Sequence, residues 1–246
     1  MKKNNNTKII FYFIIYFLLF FVLIYSGIKI YEWYRDKNKN NEIAKKIKET
    51  VIVESNGKNK EEYLIDFDKL KEQNNEAIAW IKVNNTNIEY PVVKTKNNEF
   101  YLNHSFDKSE NLGGWIFADY KNKFNGTDKN IVIYGHNMKD NSMFGTMQNI
   151  LNPEWYNNEE NTNIILKTEG KNYIYKVFSI YRIENEDYYI KTEFNNDSEF
   201  EQFLNTLKAR SIRDFNMDML ESDSILTLST CDNNNKYRVV LHAKKI

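Results

Sequence analysis

The chain has 246 residues, with 34 basic and 34 acidic side chains and a formal net charge of zero. That balance gives no basic stripe of the kind nucleic acid requires, so a nucleic-acid partner is not expected. The chain is 41 % hydrophobic and 15 % aromatic, which excludes wholesale disorder. Its single cysteine excludes an internal disulfide or a thiolate metal cluster.

Reading from the N-terminus, residues 9–28 form an uncharged apolar run, IIFYFIIYFLLFFVLIYSGI. A helix of that length spans roughly 30 Å, the thickness of the bilayer hydrocarbon core. A cleaved signal peptide would have a shorter apolar region of about 7–15 residues ending in a small-residue cleavage site. The expected organisation is a cytoplasmic tail (1–8), a single transmembrane anchor (9–28), a juxtamembrane linker or helix (29–59) and an exported domain (60–246). Lysines 2, 3 and 8 precede the span, while Lys29, Arg35, Lys37 and Lys39 follow it. Charge therefore does not orient the helix. An N-terminus inside is expected because a short tail before a first span usually accompanies an exported C-terminal domain.

Residues 35–50 are charged with a weak helical pattern, and 51–62 read as a polar loop. Asp66 is placed to cap a short helix over DFDKLKEQN. After it the pattern turns to β. Strands are predicted at 77–83, 88–94, 113–120, 130–137, 163–168, 173–183, 225–231 and 237–246. Pro91 suggests an edge or bulge position within the second of these. Residues 197–210 read as an amphipathic helix with Phe200, Phe203, Leu204 and Leu207 on one stripe. Many short strands and few helices predict a mainly β fold, a closed barrel with helical additions.

Three residue types in this pattern point to acyl transfer. Cys231 ends the strand ILTLSTC and is followed at once by the polar run Asp232–Asn235. A thiol at a strand end beside a polar loop is placed for access rather than burial. At a pKa near 8.5 only about 3 % of it is thiolate at pH 7, so it needs a base or a stabilising cation. His136 ends the strand IVIYGHN, just after Gly135, and histidine is the natural proton shuttle near neutral pH. Arg238 opens the last strand, which a short loop folds back beside the cysteine strand. Its guanidinium keeps its charge and can stabilise a tetrahedral oxyanion. Other features carry structural readings. His104 is expected in a loop, and His242 in a structural position. Glu184, Glu186, Asp187 and Glu193 are expected to form a solvated acidic loop rather than a calcium site.

The stretch TLSTC, an arginine at the start of the next strand and YGHN resemble the signatures of the sortase family. NIEYPVVKTKNNEFYLNHSF, DKNIVIYGHNMKDNSMFGTM and DSEFEQFLNTLKARS are similar to its class B subgroup. The resemblance implies an eight-stranded sortase-type β-barrel with N-terminal helices and a long helix before the Cys-bearing strand. It implies a cysteine transpeptidase that cleaves the C-terminal sorting motif of surface proteins after Thr. The product is a thioester on Cys231, resolved by a peptidoglycan precursor or cross-bridge amine. His136, Cys231 and Arg238 fall on the family's catalytic positions. Leu102, Tyr189, Ile190, Ser229 and Asp232 fall on substrate-contact positions. No cofactor or metal is implied. The competing expectation is a membrane-anchored cysteine protease that only hydrolyses.

Overall fold

A computed structural model of the chain describes residues 4–54, 63–184, 186–231 and 236–246. Helix α1 (Asn4–Val51) includes the charged stretch 35–50, where the sequence carries a weak helical pattern. Two compact units divide at residues 39 and 40. The last turns of α1 belong to the second unit because Ile47 and Val51 are buried in its core. Asn40 is buried there too, donating through Nδ2 to the Gly114 carbonyl (3.0 Å) and accepting from Ser105 Oγ (2.6 Å).

Strands β1 (Ile52–Glu54) and β2 (Tyr63–Ile65) pair antiparallel, where the sequence predicted only loop at the first of them. Asp66 caps α2 (Phe67–Gln73), accepting from the Lys69 amide at 3.0 Å. Strands β3 (Ala77–Val83) and β4 (Glu89–Val93) follow, then β5 (Phe117–Ala118) and β6 (Asn130–Gly135). After α3 (Pro153–Tyr156) come β7 (Asn163–Thr168), β8 (Lys171–Glu184), α4 (Asp197–Ala209), β9 (Ile225–Cys231) and β10 (Tyr237–Lys245). Eight of these strands close into a barrel in the order β10-β8-β7-β3-β4-β5-β6-β9. The mainly β barrel with helical additions is therefore observed.

Two local differences have physical causes. The strand predicted over 113–120 shrinks to two residues because its first half is held as a turn. Asn111 Oδ1 accepts from the Gly113 amide, and Gly114 takes φ +53°. Pro91 pairs with Trp80 on β3, whereas β4 meets β5 only at Val93–Phe117. The missing N–H of Pro91 thus falls where one side of β4 is almost unpaired, as its edge character requires.

Strands β9 and β10 bury both faces. Leu226, Leu228, Val239, Leu241 and Ala243 fill the barrel interior. Ile225 and Val240 point outward into a second cluster, covered by Phe200, Phe203, Leu204 and Leu207 of α4 and by Tyr189. Asn196 caps α4 by accepting from the Glu199 amide at 2.9 Å. The outward face of β9 is thereby roofed by the segment that leads from β8 into α4.

Candidate active site

The site forms where three strands end side by side. In the antiparallel β9–β10 ladder Arg238 is the partner of Cys231. In the parallel β6–β9 ladder Tyr134 pairs with Ser229 and Gly135 with Thr230. The residues that follow on those two strands are His136 and Cys231. Chain segments far apart in sequence are thus brought to one end of the barrel by backbone register. The side chain of Cys231, and Asp232 entirely, lie outside the described residues.

An open groove of about 270 Å³ runs along these strand ends. Tyr134, Gly135, His136, Ser229, Thr230 and Arg238 line it from the strands. Asn98, Leu102 and Phe117 line one side, and Glu186, Asp187, Tyr189 and Ile190 the other. Of the sequence-derived candidates, the groove gathers His136, Arg238, Leu102, Tyr189, Ile190 and Ser229.

His136 is held at its backbone and at its ring. Its carbonyl accepts from the amides of Met138 (3.1 Å) and Phe144 (3.0 Å). Nε2 lies 2.7 Å from the Leu102 carbonyl. A carbonyl oxygen only accepts, so Nε2 carries a proton and Nδ1 is the nitrogen left to exchange one. Two glycines make room. A Cβ on Gly135 would stand 2.7 Å from the Phe144 ring. A Cβ on Gly114 would stand 2.4 Å from the Tyr101 carbonyl and 2.9 Å from His136 Cδ2.

The walls are hydrogen-bonded from behind. Tyr189 is buried and its hydroxyl lies 2.9 Å from Ser229 Oγ. Tyr134 donates to Asp119 Oδ2 at 2.8 Å, and Asn98 Nδ2 donates to the same oxygen at 2.8 Å. Burial, followed by the Asp119 charge, raises the Tyr134 pKa, while the charge of Arg238 acts against that shift. Arg238 therefore lies within electrostatic range of the groove floor. On the opposite wall Glu186 pairs with Arg210 at 3.5 Å.

Sequence reasoning did not single out Asn98, Phe117, Tyr134, Glu186 or Asp187 as contacts. Tyr134 carried a usable signal, since it precedes His136 by two and shares its strand face. Asn98 carried none among so many asparagines. The remaining histidines lie elsewhere. His104 stacks on Phe100, with ring centroids 4.0 Å apart, and His242 is wholly buried. Among the described residues no group of three or more His, Cys, Asp or Glu side chains is arranged to hold a metal ion.

Comparison with known proteins gives a consistent result. The family model for the sortase domain matches residues 81–246. Sortase B of Listeria monocytogenes is 34 % identical over 233 residues, 92 % of each chain. The crystal structure of Clostridium perfringens sortase B is 37 % identical with a TM-score of 0.69, covering 74 % of this chain and 100 % of that one. A Staphylococcus aureus sortase B–substrate complex is 34 % identical with a TM-score of 0.69, covering 73 % and 84 %.

Proposed function

Because this chain belongs to the sortase family, class B, and is a cysteine transpeptidase of that kind, we propose that Cys231, His136 and Arg238 carry its chemistry. The observation that carries this reading is the register at the end of β9. It pairs Cys231 with Arg238 and runs Thr230 beside Gly135, directly before His136.

The Cys231 thiolate attacks the carbonyl carbon of a threonine in the C-terminal sorting motif of a surface protein. Arg238 stabilises the oxyanion that forms. The C–N bond breaks, and the leaving amine takes a proton from Nδ1 of His136 as the thioester forms. An amine of a peptidoglycan precursor or cross-bridge then attacks the thioester. It gives a proton to His136, and the thiolate of Cys231 leaves with the new amide bond made. Leu102, Tyr189, Ile190, Ser229 and Asp232 are assigned to the acyl-donor peptide. The groove between the Asn98–Leu102 side and the 186–190 side supports this for the first four. The S. aureus relative, solved as a substrate complex, lends support by likeness.

Residues 9–28 serve as a single-pass anchor, with the N-terminus cytoplasmic and the catalytic domain outside. A helix long and apolar enough to cross a membrane supports it, with nearly every side chain from Ile9 to Ile28 exposed. The deciding experiment incubates the full chain with a peptide containing a Thr–Gly or Thr–Asn bond, with and without an amine acceptor. An amide product that appears only with the acceptor, and disappears in Cys231→Ala, is expected. Hydrolysis alone under every acceptor would favour the protease reading instead.

A further inference from the structure

One buried titratable group takes no part in that chemistry. His242 on β10 is wholly buried, and both ring nitrogens are hydrogen-bonded. Nδ1 lies 2.9 Å from Thr227 Oγ1, and Nε2 lies 2.9 Å from the Tyr181 hydroxyl. Asn130 extends the network beyond Thr227, and Tyr188 extends it beyond Tyr181.

The direction of each bond follows from one fixed end. The carbonyls of Tyr189 and Lys191 face Asn130 Nδ2 at 3.3 and 2.9 Å, and a carbonyl only accepts. That atom of Asn130 is therefore the amide nitrogen, and its Oδ1 faces Thr227 Oγ1 at 2.7 Å. Thr227 has one hydroxyl proton and spends it on Asn130, so toward His242 it accepts. Nδ1 then bears the imidazole proton, and Nε2 accepts from Tyr181. The Tyr181 oxygen in turn accepts from the Tyr188 hydroxyl at 2.9 Å. Burial holds the ring neutral, lowering its pKa to about 3. Both ends of the chain close on the short 3₁₀ turn Tyr188–Ile190, and that turn carries Tyr189 and Ile190 into the groove.

We propose that His242 is a positioning residue. As the neutral Nδ1–H tautomer it relays a one-directional hydrogen-bond chain from the Tyr188 hydroxyl to the Tyr189 and Lys191 carbonyls, fixing the groove wall that receives the acyl-donor peptide. The role of that wall rests on the reading under Proposed function; the tautomer does not. Loss of the relay loosens the wall and weakens peptide binding, while the groups that make and break bonds stay in place.

The test uses the full chain in detergent and the Thr–Gly or Thr–Asn peptide that the wild type cleaves best. Tyr188→Phe removes the first donor from a half-buried position and is the variant least exposed to misfolding; His242→Phe removes the relay itself. Both are expected to raise KM about three- to tenfold, the worth of one or two hydrogen bonds, with kcat within about twofold. His242→Gln, whose Oε1 can accept from Tyr181, is expected to recover part of the loss. A merely structural role would instead lower the active fraction and leave KM alone. The chain has three histidines, so ¹⁵N-histidine spectra resolve each ring. One ring, missing from His242→Phe or from the smaller-risk His242→Gln, is expected to show a protonated Nδ1 and a bare Nε2. An unchanged KM in folded Tyr188→Phe, or a protonated Nε2 on His242, overturns the proposal. A wild type that cleaves no peptide would defeat the transpeptidase reading and leave the tautomer measurement to judge this one.

Discussion

Among individual residues, Arg238 is the proposed oxyanion donor. It is the β10 partner of Cys231, and it acts on the ionisation of Tyr134 across the groove. Its planar fork can direct two N–H groups at a developing oxyanion, which the point charge of lysine cannot reproduce. Arg238→Lys is expected to lower kcat by about a hundredfold or more, the usual worth of an oxyanion donor, with a smaller change in KM. Steady-state peptide cleavage measures this, and near-normal turnover would remove Arg238 from its role. Cys231, His136 and Arg238 could be proposed from the sequence because each sits at a strand end and because the motifs around them resemble the family's; their places in the ladders follow from the fold. Asn98 and Asp119 could not, since their importance comes from folding against Tyr134, which no local pattern announces.

Among elements, the strands were legible wherever alternation and β-branched residues coincide, as in β3, β7, β9 and β10. The predicted strand over 113–120 misread a turn, because the Asn111 side chain and the positive φ of Gly114 override its apolar content. That turn has a use: it brings the Leu102 carbonyl, Gly114 and the His136 ring together. Gly114→Ala would strain the backbone by at least about 1 kcal/mol and press on the histidine ring. Lower thermal stability together with a reduced kcat is expected, and an unchanged kcat would mean the turn does not set the ring's position. The β10 element carries a second consequence. The folded state holds His242 neutral, with its pKa lowered to about 3 by burial, whereas the unfolded chain takes up a proton near 6.5. Its contribution is therefore present above about pH 6.5 and is lost as pH falls toward 3, by at most about 1.4 kcal/mol per pH unit. Urea unfolding at pH 7 and pH 5 is expected to show a larger drop for the wild type than for His242→Phe. Equal drops would mean the ring is already charged or hydrated in the fold.

For the whole molecule, topology does what sequence distance conceals. The barrel order places β6 and β10 on either side of β9, so residues from the middle and the end of the chain meet at one rim. Pairing partners of this kind, two of them parallel, are not encoded in any local window; the family likeness implied an eight-stranded barrel, and the strand order comes from the fold itself. The last turns of helix α1 belong to the unit that contains the barrel, through Asn40, Ile47 and Val51. With protease added to intact cells, the barrel is expected to be cleaved or shed while the tail before residue 9 stays protected. Digestion of the barrel only after lysis would reverse the orientation.

Acyl transfer in this protein depends on Cys231 carrying the acyl group. Brief reaction with a sorting peptide, acid quenching, digestion and mass spectrometry locates any adduct. The expected result is the mass of the N-terminal peptide fragment, ending in threonine, on the fragment containing Cys231, removed when an amine acceptor is supplied before quenching. Turnover of the peptide by Cys231→Ala, or an adduct on any other side chain, would contradict it.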